Sequence, residues 1–119
     1  MGLRADMLIA MKEKRFAKRL TRRMLKSHSR ISARCPDLSG KALYREILLH
    51  TQMVDSSEVD QTLSQAEDSA AEWGALANDG LGFRQVVHFV VTSQHRAAGK
   101  EGTVVSFRDI VYSLIPASL

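Results

Sequence analysis

Four histidines, one cysteine and a dense run of Lys and Arg are the groups in this 119-residue chain whose chemistry could define a site. His88 and His95 stand seven residues apart, on one helical face but about 10 Å along its axis, too far for the two-imidazole zinc clamp made by residues four apart. His28 and His50 add no third ligand at a usable spacing. We therefore expect no metal, and place His88 and His95 on a polar surface face. Cys35 follows Arg34 and lies near Arg30, which favours a thiolate, whereas the C-terminal end of a helix opposes one. A half-buried packing cysteine is the expectation. No nucleophile with its base, carboxylate pair or metal cluster can be assembled from residues close in sequence. The expected protein has no catalytic residues and no cofactor, is not an enzyme, and takes no small-molecule substrate.

Two short strings carry partial motifs. Gly99-Lys100 has the end of a phosphate-binding loop, but Gln94 stands where its first glycine belongs and Glu101 where Ser or Thr should hold a metal. Gly80-Leu81-Gly82-Phe83 resembles the carboxylate-binding loop of PDZ domains, a family that needs a small β-barrel around that loop, and the flanks here read as helical. Both strings are expected to be helix punctuation.

The strongest asymmetry is electrostatic. Residues 1–34 hold eleven Lys and Arg against Asp6 and Glu13, a balance of +9, while the rest of the chain has six basic and eleven acidic residues, a balance of −5. Charge divided this way bears on partners and assembly more than on fold. A nucleic-acid surface would use Lys18, Arg19, Arg22, Arg23 and Lys26 on phosphates, without reading bases. No aromatic residue lies among them to stack on a single strand. The apolar stripe is modest and lacks a Trp anchor for a membrane surface.

Something must position that charge. Phe16, Ala17, Leu20, Met24 and Ile31 recur on one helical arc, with Lys14, Arg15, Lys18, Arg19, Arg22, Lys26 and Arg30 opposite, which predicts an amphipathic helix ended by Pro36. Leu3, Met7, Leu8 and Met11 lie on a different arc. The helix is therefore expected either to bend near residues 12–14 or to reach a second subunit at its start. A second helix is predicted over about 39–51, capped by Asp37 or Ser39, with Leu43, Tyr44, Ile47 and Leu48 inward. A capping box at Asp55 and Glu58 opens a third, with the seam Val59, Leu63, Ala66, Ala70, Trp73 and Ala77, ending at Asn78-Asp79-Gly80. Phe83, Val86, Val87, Val90, Val91 and Ala97 predict a fourth despite the strand preference of valine, because Gly99 suits a C-terminal cap and the segment is too long for an ordinary strand. Ser106 and Asp109 cap a fifth, with Phe107, Ile110, Val111, Leu114 and Ile115 inward until Pro116.

The expected fold is all-α, a small bundle of about five helices with a long basic N-terminal helix, forming one domain over 1–119: a helix over 1–34 and a mildly acidic body over 37–119. No apolar run approaches the roughly 20 residues of a spanning helix, Asp6 breaks the N-myristoylation pattern, and the lone cysteine suits a reducing, cytoplasmic setting. The leading functional expectation is protein association as a homodimer, through Leu3, Met7 and Met11 on the first helix and Val59, Leu63, Ala66 and Ala70 on the alanine-lined one. Acidic residues on that helix (Asp55, Glu58, Asp60, Glu67, Asp68, Glu72) would attract the basic helix within one chain or between two. The alternative is a nucleic-acid-binding regulator.

Overall fold

The computed structural model describes residues 2–51, 54–72, 80–100 and 102–119, without the side chain of Leu3. Five helices are described: α1 (Gly2–Arg34), α2 (Gly40–His50), α3 (Val59–Glu72), α4 (Phe83–Ala97) and α5 (Phe107–Leu114), with no strand among the described residues. The all-α expectation holds. Trp73, Ala77 and the turn at Asn78-Asp79 lie outside the described residues.

α1 sets the long dimension of the molecule. At 1.5 Å per residue its 33 residues rise about 50 Å, against overall extents of 53 × 28 × 28 Å. No break interrupts the helix at residues 12–14. Its last regular bond runs from the Cys35 amide to Ile31 O at 2.8 Å, where Pro36 disfavours a helical Cys35 and the chain turns. Ala17, Leu20, Met24 and Ile31 are buried as the periodicity requires, with Phe16 packed at the edge of the core.

α1 lies against α2, α4 and α5, while α3 lies against α2 and α4. The described parts of α1 and α3 do not meet. Two aromatic clusters, centred on Phe83 and Phe107, stitch the layers. Phe83, at the start of α4, has its ring centroid 4.6 Å from that of His28 on α1 and 6.0 Å from that of Tyr44 on α2. Near the other end Phe107 of α5 meets His95 edge-on at 4.9 Å and Phe16 at 6.1 Å. Such pairs add about 1 kcal/mol each beyond the area they bury.

α4 shows why four valines end up in a helix. Val86, Val87, Val90 and Val91 are all buried, a pattern of adjacent pairs four apart that fills a helical stripe and that an alternating strand would split between two faces. Burial outweighs the modest helix penalty of β-branching. Gly99 follows the helix at φ +81, a left-handed conformation that glycine adopts without strain, and its amide bonds Arg96 O at 3.0 Å. Ala97, expected inward, is exposed because the end of α4 runs past the core. Ser106 caps α5 as expected, its Oγ accepting the Asp109 amide at 3.2 Å. Ser39 occupies the N-cap of α2 without a side-chain capping bond. α3 begins at Val59, after a turn in which the Glu58 amide bonds Asp55 O, later than a box at Asp55 implies.

Candidate functional site

α1 is amphipathic because its two sides meet different surroundings, and its outer side is the cationic one. All eleven of its Lys and Arg residues are exposed, and none pairs with an acidic side chain among the described residues. Lys18, Arg19, Arg22, Arg23 and Lys26 thus share one solvent-facing surface, as their spacing requires. Arg23 differs from its neighbours in donating to Thr51 O at 2.9 Å, which ties α1 to the end of α2.

Met7, Leu8 and Met11 are 54–61% exposed, and Ile9 is 45% exposed. By helical angle the first three fall on the same outer arc as Lys14, Lys18 and Arg22. The exposed side of α1 is therefore apolar over its early turns and cationic after them. Arg4 through Ile9 are all exposed, so the start of the helix projects beyond the body.

The alanine-lined half of the expected interface is corrected. Val59, Leu63, Ala66 and Ala70 are each no more than 6% exposed and pack in the chain's own core, against α2 and α4. They cannot be an outward contact surface while that core is closed. Attraction of α1 to α3 within one chain is corrected too. Two acids of α3 are met instead from α2, through Lys41 to Glu67 at 2.6 Å and Arg45 to Asp60 at 3.5 Å.

The polar pair that sequence reasoning missed is Glu13 with His95. Glu13 sits on the buried arc of α1, four residues before Ala17 and seven before Leu20. Its Oε1 accepts the amides of Val104 at 2.8 Å and Val105 at 3.3 Å, and its Oε2 lies 3.2 Å from His95 Nε2. The imidazole is close enough to interact electrostatically, though its geometry is too oblique for a hydrogen bond. His95 is buried, not on a polar surface as expected. It follows Val91 by four and Val87 by eight, so it extends their stripe, and Phe16 and Phe107 enclose it. The signals were present in both helices, as an acid on an apolar arc and a histidine continuing one.

The other histidines are dispersed. His28 is buried against Phe83, with Ser32 Oγ 3.4 Å from its Nδ1, and burial lowers its pKa below the usual 6.5. His88 is lowered by burial and then by the nearby Arg108 charge. Cys35 is exposed, not half-buried, because the helix ends before it can turn inward. Among the described residues no three His, Cys, Asp or Glu side chains form a group able to hold a metal ion. No described helix is long and apolar enough to cross a membrane.

No protein-family model, curated protein or solved structure matches this chain.

Proposed function

We propose that this is a non-enzymatic helical protein that docks the phosphate backbone of a nucleic acid along the outer face of α1. The observation that carries this reading is the row of exposed cations from Lys12 to Arg34, which no acidic side chain among the described residues pairs with. Exposed Lys and Arg that no described acidic side chain neutralises present their field to an external polyanion. A helix about 10–12 Å across also matches the roughly 12 Å major groove of duplex DNA. The contacts would be to phosphates and independent of sequence, so affinity should fall steeply with salt, with a slope of about −0.9 per phosphate neutralised on duplex DNA.

Fluorescence anisotropy with labelled duplex DNA and duplex RNA, at several salt concentrations, tests it. Binding that weakens with salt and is lost in a Lys18→Gln, Arg19→Gln, Arg22→Gln, Lys26→Gln variant supports the reading. No binding to either duplex at low salt overturns it.

A second reading, homodimerisation, has its own observation in the exposed Met7, Leu8 and Met11. Two copies crossing at these turns about a two-fold axis would cover their apolar surface while the cationic stretches diverge, limiting like-charge repulsion. The partner surface would be the same segment of the second copy, since the α3 seam lies in the core. A monomer by light scattering at tens of micromolar would remove this reading without touching the first.

A further inference from the structure

A second concentration of positive charge lies away from the outer face of α1. Six basic residues follow Arg34 in the sequence. Lys41 and Arg45 pair with α3, and the other four, Arg84, Arg96, Lys100 and Arg108, belong to α4, α5 and the turn between them. Arg96, Lys100 and Arg108 converge on a cleft of about 480 Å³, walled by the later turns of α4 and the first turn of α5. Among the described lining residues these three cations stand beside one carboxylate, Asp109.

The polar lining is suited to a tetrahedral anion. Thr92 Oγ1 is shielded from solvent and has no hydrogen-bond partner. A helical threonine has two accessible χ1 rotamers, so this hydroxyl can turn toward an acceptor. Ser106 Oγ accepts the Asp109 amide, and its own hydrogen remains available to donate. His88 also lines the cleft, and the Arg108 contribution to its lowered pKa reflects the positive potential there. The Tyr112 ring lies 6.4 Å from that imidazole, with Arg84 and Arg108 over its face, while Arg96, Lys100 and Asp109 line the same cleft.

We propose that the cleft between α4 and α5 binds a phosphate monoester dianion, held by Arg96, Lys100 and Arg108 with the Thr92 and Ser106 hydroxyls as further donors. The concavity distinguishes this site from the outer face of α1. A backbone diester carries one charge and tracks along a surface, whereas a concave cleft lined by three cations and two hydroxyls suits a doubly charged end group. The proposal does not rest on nucleic-acid binding by α1.

The test is titration of the whole chain with inorganic phosphate, followed by calorimetry and by NMR of the His88 imidazole. Saturable binding is expected, weakened about tenfold or more by Arg96→Gln, an exposed position whose folding is checked by circular dichroism, and unchanged by Lys18→Gln with Arg22→Gln. Bound dianion should also raise the His88 pKa, because it offsets the neighbouring cations. A 5′-phosphorylated oligonucleotide that binds more tightly than its 5′-hydroxyl form, with the difference lost in Arg96→Gln, identifies a strand end as the source; equal binding of the two alongside phosphate binding identifies a small phosphorylated molecule. No saturation up to about 50 mM phosphate, an equal loss in the α1 variant, or tighter binding of succinate than of phosphate overturns the proposal.

Discussion

Glu13 and His95, far apart in sequence, bring their side chains to within 3.2 Å of one another, each only 7% exposed. The same carboxylate holds the amides of Val104 and Val105, so one side chain on α1 fastens both the end of α4 and the segment leading into α5. Removing the carboxylate leaves the two part-buried amides without their acceptor, which costs about 1–3 kcal/mol for each. Glu13→Ala should therefore lower unfolding stability by about 3 kcal/mol in urea titration, with an unchanged m-value. Glu13→Gln, which keeps an acceptor for the two amides, should lose less. A cycle with His95→Phe should show coupling of about 1 kcal/mol or more; additive effects would mean that the imidazole contributes only its packing.

Acid should weaken the fold before most carboxylates titrate. His28 and His88 both have folded-state pKa values below 6.5. The unfolded chain then binds more protons than the folded one as the pH falls through 6.5, and stability declines until the lowered folded values are passed. Above about pH 7.5 these two groups should contribute no slope. Urea midpoints measured from pH 8 to pH 5 should show the decline, reduced in His28→Phe, where the ring still packs on Phe83.

Ser106→Ala should cost about 1 kcal/mol, the usual loss for an N-cap with a side-chain bond to the third helical amide. Thermal unfolding would register it. A loss much below that would mean that Phe107, Val111 and Ile115 hold α5 in place without the cap.

The outer cations of α1 should separate into two kinds. Arg22→Ala removes only an exposed charge and should change stability by less than about 0.5 kcal/mol. Arg23→Ala also removes the bond to Thr51 O and should cost about 1 kcal/mol. Equal effects in denaturant titration would show that this link between α1 and α2 contributes nothing.

The helices were legible because their signals are local. Pro36, the paired valines of α4 and the Ser106 cap each act within a few residues, and each marks an element where the fold places one. What sequence could not decide was which apolar surface faces inward. The seam from Val59 to Ala70 reads equally well as a contact between chains or within one, and only the docking of α3 on α2 and α4 assigns it to the core. Met7 and Met11 present the reverse case, apolar residues on an arc that the body never reaches. Glu13 does not stand out in the sequence because one of two acids in a basic helix reads as charge balance until its position on the buried arc is compared with Ala17 and Leu20. The α4–α5 cleft gathers cations from a chain segment that is acidic on average, and an average conceals such clustering.

The position of α1 also fixes the order in which the molecule can be completed during synthesis. Its apolar stripe emerges first, but α5, which packs against it, and Val104 and Val105, which bond Glu13, come more than sixty residues later. At ribosomal rates of roughly 5–20 residues per second, the stripe waits several seconds for its last partners. Throughout that interval α2, which follows α1 directly, is the one neighbour able to cover part of the stripe, and the side of α1 that packs on α5 stays open.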